Sequence, residues 1–159
     1  MLVLIEGIDG SGKSTLCKQL INNGFDNVVI SDGVDEFVKY KALKTMYKNS
    51  VLILDRGFVT DLVYRSIDLA PRHGMNLQEI AAICKDDVLI IHCKSDTAFE
   101  DSITRGEDNV TSKITSDKLS AAYDVAINIL SIFSGIRTYV YNWKKNDVYD
   151  VIKFIRKEE

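Results

Sequence analysis

The chain predicts a three-layer α/β/α domain built on a five-stranded parallel sheet, and three observations carry that expectation. Short, fully apolar runs alternate with segments of helical period from end to end, the pattern of strands buried on both faces and joined by helical crossovers. The first apolar run passes directly into a glycine-rich stretch that opens a helix, Gly7-Ile8-Asp9-Gly10-Ser11-Gly12-Lys13-Ser14-Thr15. The 159 residues, 46% hydrophobic and with a single proline, suffice for one core and leave no room for a second. Residues 1–159 are therefore expected to form one domain without internal repeats.

Each element follows from local chemistry. Leu2 to Ile5 is the first strand, and the helix from Ser14 to Asn23 stops at Gly24, a residue suited to a left-handed C-terminal cap. Val28 to Ile30 is a short second strand. Asp35 can cap a helix to about Lys48, with Phe37, Tyr40, Leu43 and Tyr47 at three- and four-residue steps. Val51 to Leu54 is the third strand and runs into Asp55-Arg56-Gly57. A helix over Thr60 to Asp68 is broken by Pro71 and Gly74, and Asn76 with Glu79 caps the next one, to Lys85.

Val88 to Cys93 is the fourth strand, and Asp96 opens a helix to Arg105. The polar segment 106–115 has no apolar period and is expected to be a small mobile lid. Ser116 or Asp117 starts a long helix with Leu119, Ala122, Tyr123, Ala126, Ile127 and Leu130 on one face, closed by Gly135. Strand Ile136 to Tyr141 and helix Asp147 to Arg156 complete the chain. With right-handed crossovers, ligands belong beyond the carboxyl ends of the strands.

The chemistry gathers at those ends. A Gly-x4-Gly-Lys-Ser stretch between strand and helix turns successive backbone N–H groups inward around a polyphosphate, because side chains at the glycines would block the turn or the close approach. Gly7, Gly10, Ser11, Gly12 and Thr15 form that cradle for ATP. Lys13 reaches the β and γ oxygens, the Ser14 hydroxyl can ligate Mg²⁺, and the helix adds its positive end. Asp55, ending a buried strand, is a second Mg²⁺ candidate, since a hard dication among phosphates recruits few carboxylates. Arg56 beside it has the planar donor fork that fits a substrate phosphate.

Composition narrows the partners. A net charge of -3 argues against a broad nucleic-acid surface while leaving a local anion cradle open. No apolar stretch is long enough to span a bilayer and no secretory signal is evident, so a cytoplasmic protein is expected, acting without membrane or nucleic acid. Cys17, Cys84 and Cys93, odd in number and widely spaced, read as reduced thiols in apolar surroundings. His73 and His92 lack partners at ligand spacing and read as structural or exposed.

Ile5-Glu6-Gly7-Ile8-Asp9-Gly10-Ser11-Gly12-Lys13-Ser14-Thr15 resembles the phosphate loop of thymidylate kinases and their deoxynucleotide-kinase relatives. Asp55-Arg56-Gly57-Phe58-Val59-Thr60-Asp61-Leu62-Val63-Tyr64-Arg65 is similar to the family's Asp-Arg-Tyr-x-x-Ser-x-x-Ala-Tyr-Gln block, in register. Ile91 to Gly106 resembles its fourth strand and pre-lid helix, with Ala98, Glu100, Arg105 and Gly106 matching, and Tyr123 falls where the post-lid helix carries a tyrosine.

The resemblance implies a P-loop nucleoside monophosphate kinase moving the γ-phosphoryl of ATP to a deoxynucleoside 5′-monophosphate, dTMP first. It implies that Asp9 meets the acceptor's 3′-hydroxyl or the magnesium shell, Arg56 grips the acceptor phosphate, and Tyr64 lines the sugar. Arg105 would open the lid near the donor, with Asn142 and Trp143 bordering the adenine. Phe37 is a candidate to stack on the base, and Arg65 stands where a glutamine reads it. Relatives dimerise through helices comparable to Thr60 to Asp68 and Asn76 to Lys85, so a homodimer is expected.

Departures accompany the matches. Family members carry a catalytic arginine in the phosphate loop or the lid; here Gly10 takes the loop position and the lid reads Arg105-Gly106-Glu107-Asp108-Asn109. Arg105 and Lys113 are the nearby cations left to serve, and loss of such an arginine slows transfer by roughly 10³-fold. Ser31-Asp32-Gly33 replaces the family's Glu-Pro turn after strand two. The chain is shorter than typical members, which fits a minimal, virus-encoded form acting in host cytoplasm. Two alternatives stand beside the monophosphate kinase: a deoxynucleoside kinase with Asp32 or Asp35 as base toward a 5′-hydroxyl, and a nucleotide-binding regulatory module with weak or no catalysis.

Overall fold

Five parallel strands lie in the order β2-β3-β1-β4-β5. The computed structural model describes residues 1–30, 42–43, 45–47, 49–68, 78, 80, 88–106 and 112–157. The strands are β1 (Leu2–Glu6), β2 (Val28–Ile30), β3 (Leu52–Asp55), β4 (Val88–Cys93) and β5 (Arg137–Tyr141). Helices α1 (Lys13–Asn22), α2 (Phe58–Ser66), α3 (Ala98–Thr104), α4 (Lys113–Ser134) and α5 (Val148–Arg156) connect or follow them. Asp32, Asp35, Phe37, His73, Cys84 and lid positions 107–111 lie outside the described residues.

The sheet is all apolar at its centre because it is covered on both sides. On one side Leu2, Leu4, Leu54 and Ile90 pack with Val59 and Val63 of α2 and with Leu119, Tyr123 and Ile127 of α4. On the other Val3, Ile5, Ile53 and Ile91 meet Leu16 and Leu20 of α1 and Val151 and Ile155 of α5. The odd and even residues of β1 thus divide between two cores, and truncating any one of these leucines or isoleucines to alanine should cost about 2–5 kcal/mol. Cys17 and Cys93 are free and buried, in the second core.

Register fixes what sits at the top of the sheet. β1 runs between β3 and β4, with Ile5 beside Asp55 and Glu6 beside His92. The cap of α1 is a Schellman turn: Gly24 N–H donates to Ile21 O at 3.0 Å and Phe25 N–H to Leu20 O at 3.1 Å, with Gly24 at φ 87°. Gly135, at φ 66°, closes α4.

Helix α2 begins at Phe58 rather than Thr60 and α3 at Ala98 rather than Asp96, and a third start moves further. The long helix begins at Lys113, not at Ser116 or Asp117, so residues 113–115 belong to α4 rather than to the lid. Ser112 is the cause: its hydroxyl accepts the Thr115 N–H at 3.2 Å, and Lys113 pairs with Asp117 one turn on at 3.1 Å.

Candidate functional site

The phosphate loop occupies residues 7–12, between β1 and α1. All three of its glycines are obligatory, Gly7 because a side chain at its φ of +144° would strike the Cys93 carbonyl. Gly10 has φ +76° and a side chain there would fall onto the Ala98 carbonyl, while Gly12 has φ +95° and would drive a Cβ into the Trp143 ring. The Gly10 contact explains why the loop carries no basic residue at position 10: α3 begins directly against it. Gly12 caps α1 without a side-chain hydrogen bond, which leaves the first amides of the helix for an anion.

Lys13 is buried and donates from Nζ to Ile8 O at 2.7 Å, with Asp9 Oδ1 3.9 Å away. Burial, then the neighbouring Arg56, pushes its ammonium pKa down. Ser14 Oγ lies 3.5 Å from Asp55 Oδ2, and Asp55 Oδ1 is buried without a partner. A hydroxyl and a half-satisfied carboxylate at the head of a phosphate cradle fit a Mg²⁺ ion, which prefers oxygen donors and keeps most of its shell for water and phosphate.

Across the loop, Arg56 pairs with Asp9. Its backbone is left-handed, φ 70°, rare for a non-glycine residue, and its N–H donates to Ile5 O at 3.0 Å. Burial works against its charge, but Asp9 and then Tyr64 and Tyr123 outweigh it and hold the guanidinium firmly protonated. Tyr64, in the last turn of α2, hydrogen-bonds Arg56, and burial raises its pKa. Asp9 of the glycine loop thus meets Arg56 and Tyr64 of the Asp55–Arg65 block in one place.

Of the other expected site residues, Trp143 reaches the loop and the rest make contacts of their own. Arg65 Nη2 pairs with Asp61 Oδ2 at 2.7 Å on α2. Arg105 is an exposed residue at the end of α3, and Lys113 is half-exposed, 5.9 Å from the Phe99 ring centre. Lys113 does border a cavity of about 300 Å³ that also touches Ile8, Lys94, Phe99, Ser116 and Ser120. Asn142 organises its own turn, its Oδ1 accepting the Lys144 N–H at 3.0 Å and its N–H donating to Asn146 Oδ1 at 2.7 Å. Trp143 lies on Gly12 and its Nε1 has no partner.

A second polar group was not assigned from sequence. Glu6 is fully buried; its Oε2 accepts from Thr60 Oγ1 at 2.6 Å, and Thr60 Oγ1 is 2.7 Å from the Tyr123 hydroxyl. Burial raises the Glu6 pKa to about 7. The signal was a lone acid closing an otherwise apolar strand. His92, beside it on β4, is buried as a structural reading expects, and desolvation lowers its pKa to about 4.

No protein-family model matches the chain. No curated protein matches it significantly by sequence. Solved structures do match. The YorR protein from Bacillus subtilis, in complex with phosphorylated GDP, is 16% identical, with a TM-score of 0.71 over 99% of this chain and 94% of that one. Deoxyadenosine kinase from M. mycoides, with products dCMP and a flexible dCDP bound, is 18% identical, with a TM-score of 0.62 over 99% and 97%. The same kinase with bound dATP gives 14% identity and a TM-score of 0.59, over 99% and 98%. Five parallel strands with flanking helices and this likeness give the chain the α/β fold of the P-loop kinases.

Proposed function

We propose that the chain is a nucleotide kinase that transfers the γ-phosphoryl of ATP to a deoxynucleoside 5′-monophosphate, dTMP first among them. The observation that carries the reading is the meeting of Arg56, Asp9 and Tyr64 directly across from the glycine cradle with Lys13, Ser14 and Asp55. Two anion sites facing each other are what phosphoryl transfer between two phosphates needs.

The donor's polyphosphate would lie over residues 7–15, where the loop amides, the start of α1 and Lys13 oppose its charge. Lys13 must leave the Ile8 carbonyl to do so. Ser14 and Asp55 would hold Mg²⁺, which when bound neutralises phosphate charge. Arg56 would turn from Asp9 to the acceptor phosphate, freeing Asp9 for a sugar hydroxyl. The acceptor phosphate is already ionised, so no covalent intermediate or strong base is required. In this reading 106–112 is the lid, and Arg105 or Lys113 supplies the cation that position 10 cannot.

The homodimer belongs to the same proposal, with one change of surface. Among the described residues an apolar groove runs between α2 and α4, bordered by Leu62, Ala121, Ala122, Val125 and Ile129. Burying it in a twofold contact would remove Val125, 58% exposed, from water.

A coupled assay of ADP release across the deoxynucleoside monophosphates and the deoxynucleosides tests the reading. Turnover of at least one monophosphate supports it. Turnover of nucleosides alone decides for the second reading, transfer to a 5′-hydroxyl, which the likeness to a deoxyadenosine kinase favours. ATP binding without ADP release under any acceptor leaves the regulatory module.

A further inference from the structure

Two consecutive residues of β1 hold the two ends of the segment from Arg56 to Thr60. The Ile5 carbonyl takes the Arg56 N–H at 3.0 Å, and four residues further on the Glu6 carboxyl takes the Thr60 hydroxyl at 2.6 Å, in the first turn of α2. The chain between these two bonds contains the left-handed residue itself, a conformation that persists only where the surroundings hold it.

The hydroxyl proton accounting extends the chain of bonds to α4. Thr60 has one hydrogen and gives it to Glu6 Oε2, so the Tyr123 hydroxyl, 2.7 Å away, donates to Thr60. The relay Tyr123 to Thr60 to Glu6 thus joins the post-lid helix, the acceptor helix and the strand that feeds the phosphate loop. Glu6 Oε1 is buried with no partner, and a Cβ on Gly57 would sit 3.2 Å from it.

We propose that Glu6 is a positioning residue for the acceptor arginine: through Thr60 it anchors α2 and, with the Ile5 carbonyl, holds the backbone of Arg56 in place to receive the phosphate of the incoming nucleotide. The inference rests on reading Arg56 as the acceptor-phosphate group. The titratable and charged groups around Glu6 are Lys13 from α1, Arg56 after β3, His92 and Cys93 from β4, and Tyr123 from α4. When Glu6 ionises it sets a negative charge beside Lys13 and Arg56 and competes with the acceptor dianion for Arg56. Burial lifts its pKa to about 7, so the competition grows as pH rises through neutrality.

The test is calorimetric titration of ATP and of a deoxynucleoside monophosphate into the whole chain and its variants. Thr60→Val should weaken the monophosphate by about tenfold and leave ATP within about twofold, because it strands a buried carboxyl without its donor. Thr60→Ser should restore binding, and Tyr123→Phe, which keeps the ring, should weaken the monophosphate by about threefold. Glu6→Gln should match the unmodified chain near about pH 6 and bind about fivefold tighter near about pH 8.5, since it accepts from Thr60 but cannot ionise.

Unchanged monophosphate binding in both Thr60→Val and Tyr123→Phe overturns the proposal, as does equal loss of ATP affinity, the mark of a merely structural role. A parallel pH profile for Glu6→Gln and the unmodified chain also overturns it. An unmodified chain that binds both nucleotides yet transfers nothing defeats the kinase reading alone; one that binds no monophosphate defeats both.

Discussion

Arg56 and Asp9 are 47 residues apart in sequence and form an ion pair at the mouth of the phosphate loop. Asp9 is buried, only 4% exposed, so its partner cannot be removed without leaving a carboxylate in a dry site. In the proposed reading the pair would hold Arg56 inward until an acceptor phosphate takes Asp9's place.

Arg56→Ala should therefore lower kcat/KM for the acceptor by about 10²-fold or more while ATP affinity holds, and should destabilise the fold by about 1–3 kcal/mol. Steady-state kinetics with each substrate varied in turn, plus a thermal melt, measure both. Arg56→Lys should recover stability better than acceptor use, because an ammonium lacks the planar fork.

Lys13→Ala should abolish turnover at the donor side, and its effect has an optical readout. Trp143 is the chain's single tryptophan and its ring lies on Gly12 of the loop. ATP binding should change its emission, and Lys13→Ala should shift the titration to at least about tenfold higher ATP. An emission spectrum indifferent to saturating ATP would place the donor elsewhere.

Glu6 and His92 sit side by side and titrate in opposition. Glu6 has a folded pKa of about 7 against 4.5 for the free group, so its stabilising contribution is present below 4.5 and is lost as pH rises through 7. His92 falls from 6.5 to about 4, so its contribution is present above 6.5 and lost as pH falls through 4. Glu6→Gln should leave the His92 slope uncovered: melting temperature should climb from about pH 4.5 to 6.5, and above about pH 8 the variant should exceed the unmodified chain by about 3 kcal/mol. Identical melts at all pH values would remove Glu6 from the buried, proton-bearing role.

Lys113→Ala tests the lid. Released from Asp117, Lys113 is the cation on α4 nearest the cavity that reaches Ile8. Its loss should slow the single-turnover rate by about tenfold or more with ATP affinity changed less than about twofold. An unaffected single turnover would assign the missing charge to Arg105 or to neither.

Much of this was readable from neighbours along the chain. The glycine loop, its lysine and serine, and the Schellman cap at Gly24 are written in residues a few positions apart, because backbone torsion and helix-end chemistry are local. The start of α4 was misread because a serine cap among polar residues has no apolar period to announce it. Glu6 was visible as an acid ending an apolar strand, but its partners were not.

Sequence alone determined the parallel α/β architecture and the glycine-rich turn between β1 and α1, since strand-helix alternation leaves few other solutions. Only the tertiary structure decided which charges meet. Glu6 finds Thr60 across 54 residues, and Thr60 finds Tyr123 across 63, because β3 pairs beside β1 and α2 packs on α4 over the same face. Such distances are set by strand order and helix packing, which no run of adjacent residues encodes.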